Sequence, residues 1–192
     1  SSDLRQFLTP EMSGRWDDAA SATIVDKVDV LVENRNSDRA TYVVRANIVG
    51  YLEEGGVYRA AEGEFEAKFT LVRADGEWRI DAMPDGVIMD RPRFLNSYQR
   101  RSLYFVEPAG ETVVPDPRWI TGSPEQTAAQ LIGLLVEGPK ASLEPAVRNL
   151  LEDVTVVGAV TKADGRTGQV GVGLGGIRVD FQGIGAMSKE DR

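Results

Sequence analysis

The side chains able to do chemistry in this 192-residue chain are limited from the start, because it contains no histidine and no cysteine. Thiolate nucleophiles, Cys/His zinc sites, haem ligation and the commonest general base are excluded, so any catalysis falls to Asp, Glu, Tyr, Lys, Arg or Ser. In "LLVEGPKASLEP" (134–145) glycine, lysine and serine stand close together, as they do in a phosphate cradle. A cradle, however, places its glycines ahead of a helix, where free N–H groups and the positive dipole end meet the anion. Here Gly138 follows an apolar helical run, Pro139 has no N–H, and Ala141 separates Lys140 from Ser142, which argues against nucleotide binding. "GVGLGGIRVDF" (171–181), with Gly171, Gly173, Gly175 and Gly176, leads into a strand-like segment, whereas a dinucleotide fingerprint must open a helix. Glycines in a bulged or closely approached strand explain it better.

Tyr42, Tyr51, Tyr58, Asp81 and Asp85 are the candidates for acid/base work at the mouth of an apolar pocket. Alternation places Asp81 beside Arg79 and Glu77, and Tyr51 on the side of Arg45 and Asn47, so solvated surface is the preferred reading. No segment has the oxygen-ligand density of a calcium loop, and no Ser-x-x-Lys pattern occurs. The residues therefore assign no catalytic, cofactor-binding or metal-binding position, and no cofactor. With 22 basic and 30 acidic residues the net charge is -8, which opposes binding to nucleic acid. Against that background "DRPRFLNSYQRRS" (90–102) is a basic block, with Arg91, Arg93, Arg100 and Arg101 and no acid after Asp90. It suits an acidic partner or an anionic lipid headgroup. The preferred alternative is that these arginines pair with carboxylates of the flanking domains and set their angle.

The elements that must position these residues follow from periodicity. In "TYVVRANIVGYL" Tyr42, Val44, Ala46, Ile48 and Leu52 alternate with Arg45 and Asn47, as in a strand with one wet face. Phe65, Ala67, Phe69 and Leu71 alternate likewise, Asp75-Gly76 supplies a φ > 0 turn, and Trp78, Ile80 and Ala82 return as a hairpin. Val28, Val30 and Val32, alternating with Asp29, Leu31 and Glu33, mark a further strand, preceded by a short helix in "PEMSGRWDDAA". After the basic block come the strands "SLYFVEP" and "TVVP", then a helix capped by Ser123, with Pro124 in its first turn and Gln126 three residues on. Ala128, Leu131, Ile132 and Leu135 form its stripe. Gly138 ends it in a left-handed cap, and Pro139 forbids continuation. "SLEPAVRNLLE" is predicted as a second helix, and the remainder as glycine-punctuated strands.

Leu103-Tyr104-Phe105, the Val114-Pro115 step, Arg118, the ending Leu134-Leu135-x-x-Gly138-Pro139 and the closing "IRVDF" (177–181) resemble the GerMN module over residues 102–192. A sheet-rich domain carrying "FLTPEMSGRW" ahead of such a module resembles the LpqB family of actinobacterial lipoproteins, across essentially the whole chain. The resemblance implies an α+β architecture of two small domains. Residues 1–96 would form a cone-shaped domain similar to nuclear transport factor two, built on a curved antiparallel sheet with an incomplete first helix. Residues 97–192 would form a GerMN-type α/β sandwich whose last helix lies beyond Arg192. The family's lipidated cysteine, signal peptide and C-terminal β-propeller are not among these residues, and it has no catalytic motif to transfer. The resemblance further implies a non-enzymatic extracytoplasmic module, held at the membrane through a lipid anchor outside this segment. It would regulate an MtrB-like sensor histidine kinase of a two-component system by contact with the kinase's extracellular domain. Arg91, Arg93, Arg100, Arg101 and Trp119 are the candidate partner-binding residues, and Arg118, Gly138 and Pro139 the structural motif. The alternative function is a binder of a small ligand or cell-wall fragment in the cone pocket.

Overall fold

A computed structural model describes residues 2–17 and 21–149, and the short pieces 155–156, 161–162, 177–178 and 181–182. The chain divides into two units, Ser1–Glu54 with Tyr58–Asn96, and Gly55–Val57 with Ser97–Arg192.

In the first unit α1 (Ser2–Arg5) and α2 (Pro10–Arg15) precede β1 (Ala22–Arg35), β2 (Arg39–Leu52), β3 (Tyr58–Ala74), β4 (Glu77–Ala82), β5 (Val87–Asp90) and α3 (Arg91–Ser97). The strands form one sheet in the order β4-β3-β2-β1-β5. β5 runs parallel to β1 while the other neighbours are antiparallel, so the sheet is mixed, not wholly antiparallel as expected. Only residues 83–86 join the two outermost strands. Strands lie about 4.8 Å apart, so a flat sheet would separate its edges by roughly 19 Å, the full reach of so short a link. The sheet must therefore curl. Bulges supply the bending, with register shifts at Ile24/Val25, Asp26/Asp29 and Val32/Asn34 along the β1–β2 ladder and at Ile48/Gly50 along β2–β3. At the second of these Lys27 takes φ 50, a left-handed conformation unusual for a residue with a side chain.

The β3–β4 turn is the predicted one. Asp75 and Gly76 have φ 52 and 82, the conformation that matches the twist of the flanking strands, and Ala74 pairs with Glu77. "FLTPEMSGRW" fastens the helices to the sheet. Leu8 bridges Ile80 with hydrogen bonds from Thr9 N to Ile80 O and from Ile80 N to Phe7 O. Thr9 then caps α2, its Oγ1 accepting from Met12 N, and Pro10 occupies the first turn, where no N–H is missed. This aims Leu8, Met12 and Trp16 into one buried cluster against Ile80, Met83 and Val87. Indole Nε1 of Trp16 donates to Gly86 O, and Arg5 lies over the indole at 5.3 Å.

In the second unit β6 (Gln99–Val106) and β7 (Val113–Ile120) form a hairpin beside α4 (Pro124–Glu137). β7 runs past the predicted "TVVP" to Ile120, through Pro115 and Pro117. Two prolines of the same parity leave the ladder to β6 intact while removing donors from the opposite edge, which fits an edge strand. α4 has the predicted capping box, with Ser123 Oγ accepting from Gln126 N and Ser123 N donating to Gln126 Oε1. Leu103, Phe105, Ile120, Leu134 and Val147 form its core, with Leu131, Leu135, Leu143 and Val114 packed against them. Ile132 of the predicted stripe is only half-buried.

The second helix of the sequence reading does not form over the described residues. Glu144–Ala146 makes one 3-10 turn, Val147 is extended (φ -141, ψ 163), and Arg148 bridges Val106. Pairing with β6 displaces a helical pattern interrupted by Pro145. Two-residue strands follow, β8 (Thr155–Val156) with β11 (Phe181–Gln182) and β9 (Thr161–Lys162) with β10 (Ile177–Arg178), each pair antiparallel. Gly171, Gly173, Gly175 and Gly176 lie outside the described residues.

Candidate functional site

The basic block does not present one face. Arg91 and Arg93 stand on α3, two residues apart, where helical side chains diverge. Arg100 and Arg101 are adjacent on β6 and so point to opposite sides of the hairpin. All four are exposed. Among the described residues none has a carboxylate partner: Arg101 Nη2 donates to Gln99 Oε1, and Arg93 engages Asp90 Oδ1 only through its backbone N–H. Pairing with domain carboxylates, the preferred expectation, is therefore not what the described residues show. Trp119, the remaining partner-binding candidate, is half-buried, and its backbone carbonyl lies against Gly56.

The structural motif, by contrast, is drawn together. Val114, Asp116, Arg118 and Ile120 share the face of β7 that is opposite Phe105 and Leu103 in the ladder, so alternation carries Asp116 and Arg118 into the core of the hairpin. Asp116 is 0% and Arg118 4% exposed. Arg118 Nη2 donates to Asp116 Oδ2 at 2.8 Å and to Gly138 O at 3.4 Å, and its Nη1 donates to Gly55 O at 3.0 Å. Lys140 adds a backbone N–H to Asp116 Oδ2 at 2.9 Å and its ammonium at 3.7 Å from Oδ1. Burial acts to raise the pKa of Asp116. The hydrogen bonds from Arg118 and the Lys140 N–H, with the positive charges of both side chains, outweigh it and hold the carboxyl below its ordinary value.

Gly138 is the pivot of this network. Its N–H closes α4 on Leu134 O, its carbonyl accepts from Arg118, and its φ of 104 with ψ of -173 falls in a region essentially reserved to glycine. The expected left-handed cap is thus an extended positive-φ cap, which turns the chain away at once; Pro139 follows, half-buried. Asp116 was not singled out by sequence, and Lys140 only as the lysine of the rejected phosphate cradle. An Asp between two prolines has the composition of a turn, and only the alternation of β7 through those prolines reveals it as buried.

Four of the five acid/base candidates of the first unit are occupied structurally, and Tyr42 is half-buried on β2, level with Val32 and Phe69. Asp81 Oδ1 accepts from Thr9 Oγ1, and Asp85 Oδ1 accepts from Asp17 N. Tyr51 lies under Arg59 at 4.7 Å, while Tyr58 donates to Val49 O and stacks on Phe94. Among the described residues a groove of about 380 Å³ is lined by Lys27, Asp29, Arg45, Ala46, Asn47, Glu64, Phe65 and Glu66, mostly charged side chains, and none of the acid/base candidates borders it. Among the described residues no group of three or more acidic side chains is placed to hold a metal ion, and no helix is long and apolar enough to cross a membrane.

Comparison with known proteins matches residues 2–95 to the family described as the N-terminal domain of lipoprotein LpqB, and residues 102–192 to that described as sporulation and spore germination. A protein named lipoprotein LpqB from Rhodococcus jostii (strain RHA1) is 67% identical over 187 residues, covering 97% of this chain and 31% of its own length. Proteins of the same name from Nocardia farcinica (strain IFM 10152) and Mycolicibacterium smegmatis (strain ATCC 700084 / mc(2)155) are 48% and 44% identical over 98% of this chain, covering 32% and 33% of their own lengths. The chain spans about a third of the length of the curated relatives it matches. No solved structure matches it.

Proposed function

The chain belongs to the lipoprotein LpqB family, and from that premise we propose that it is a non-enzymatic extracytoplasmic module that regulates an MtrB-like two-component sensor histidine kinase through contact with the kinase's extracellular domain. The relatives are named as lipoproteins, which supports lipid anchoring to the membrane for the full-length protein. The observation that carries the reading is the state of the arginines. In a chain of net charge -8, Arg91, Arg93, Arg100 and Arg101 are exposed, and among the described residues none has a carboxylate partner. A guanidinium left without an internal acid is available to an acidic surface of another molecule, where it contributes orientation and on-rate.

The test is a chain with all four arginines changed to Glu, compared with the parent for binding to the purified sensor domain once circular dichroism shows that both are folded. Binding should weaken at least tenfold and lose its salt dependence; unchanged affinity would sink the arginine contact. A ligand in the first unit is the weaker reading, because the groove found among its described residues is lined mostly by charged side chains.

A further inference from the structure

We propose that the outer edge of β1, from Val28 to Asn34, is a strand-addition site for an extended peptide segment in which apolar and basic residues alternate. β1 has β2 along its whole length on one side, but β5 pairs with it only from Ala22 to Val25. Past Val25, among the described residues, nothing pairs with the other side. A strand edge of this kind presents a row of N–H and C=O groups ready to accept another strand.

Protected edges usually carry polar side chains on both faces, and this one is apolar on one of them. Every residue from Lys27 to Arg35 is exposed, and Val28, Val30, Leu31 and Val32 are 47%, 55%, 39% and 59% accessible. Val30 and Val32 lie level with Val44 and Tyr42, and these with Ala67 and Phe69, so the apolar row continues inward across three strands. Valines of an added strand would extend that row.

The opposite face selects for charge. Asp29, Leu31 and Glu33 alternate there; Glu33 is bound by Lys68 at 2.6 Å and Glu66 by Arg45 at 2.6 Å. Asp29 and Glu64 have no ion-pair partner among the described residues, and the groove that both line holds three carboxylates against two cations. Lys or Arg on the second face of an added strand would stand beside Asp29 and Glu33 of β1 and complement these two, since opposite charges on neighbouring strands stabilise and like charges oppose. A second copy of this chain carries net charge -8 and is disfavoured as the occupant. The bulges at Asp26/Asp29 and Val32/Asn34 leave Asp29–Val32 as the regular stretch at the centre of this edge, which limits the guest to a short segment.

The probe is the capped peptide (Lys-Val)3-Lys, titrated into the intact chain at low ionic strength, with (Glu-Val)3-Glu as its counterpart and amide hydrogen exchange as the readout. The lysine peptide should slow exchange within Val28–Asn34, and the glutamate peptide should bind at least tenfold more weakly. N-methylation of the valine amides or of the lysine amides should abolish binding in one of the two cases only, because alternate N–H groups face the edge. Val30→Lys with Val32→Lys, both at exposed positions, should weaken the lysine peptide at least tenfold without loss of fold. Protection appearing elsewhere, equal affinity for both peptides, or indifference to which amides are methylated would overturn the proposal. So would sedimentation showing a dimer that Val32→Lys dissolves while the edge ignores peptide.

Discussion

Asp116 and Arg118 illustrate a buried pair whose removal costs far more than its presence contributes. Taking both charges out of water consumes most of their mutual attraction, but deleting one partner leaves the other charge buried and alone. Asp116→Ala should therefore destabilise the second unit by about 3–5 kcal/mol in urea unfolding, whereas the double change Asp116→Leu with Arg118→Met should cost much less. If the single and double variants lose equal stability, the penalty is packing and not charge. The pH dependence has a definite sign. The folded pKa of Asp116 is depressed, so its carboxylate stabilises fully above the unfolded value of about 3.9, and the contribution drains away as pH falls through the folded value. The stability gap between the parent and Asp116→Asn should accordingly be constant at neutral pH and narrow below about pH 4; a gap that widens on acidification would contradict this account. Arg118 stood out in the sequence through a family motif, but its partner did not, because burial of a charge is decided by strand parity and not by composition.

At the scale of elements, the features legible in the sequence were those with a local cause. The Asp75-Gly76 turn, the Ser123/Gln126 capping box and the short helix that opens at Pro10 each depend on residues close by in the chain, and each is present. The segment after Pro139 was misread because its rival was non-local: the apolar spacing of Leu143 and Val147 suits a helix, but the bridge between Arg148 and Val106 takes the chain into an extended path. β1 shows a further limit. Its alternation marks a strand correctly, yet alternation cannot tell whether anything covers the apolar side, and here Val30 and Val32 stay accessible. Gly138 tests the joint that separates these elements. A Cβ there would stand 2.7 Å from Asn149 Nδ2, in a backbone region closed to side chains. Gly138→Ala should cost more than about 1 kcal/mol. Adding Asn149→Ala should recover only part, since it relieves the contact and not the φ of 104; full recovery would show that crowding alone requires glycine.

For the molecule as a whole, the two sequence families are contiguous along the chain but the two structural units are not. The second unit draws in Gly55–Val57, three residues between β2 and β3, and they are bound to it in specific ways. Gly55 O accepts from Arg118 Nη1 at 3.0 Å. Gly56 has φ 74 and passes so close to Trp119 that a Cβ would stand 2.3 Å from its carbonyl oxygen, which no side chain could tolerate. A fragment beginning at Ser97 therefore lacks an acceptor that its buried arginine uses in the intact chain. Hydrogen bonds to charged groups are worth about 1.5–3 kcal/mol, so the fragment should unfold at lower denaturant than the second unit of the intact protein, by roughly that amount. Gly56→Ala in the intact chain should shift the same transition in the same direction while leaving the Leu8/Met12/Trp16 cluster of the first unit unaffected. Trp16 near-ultraviolet signals report on that cluster. If the fragment proves as stable as the intact unit, Gly55–Val57 contributes nothing to the fold it belongs to, and the two domains are separable at Asn96 as the sequence alone would divide them.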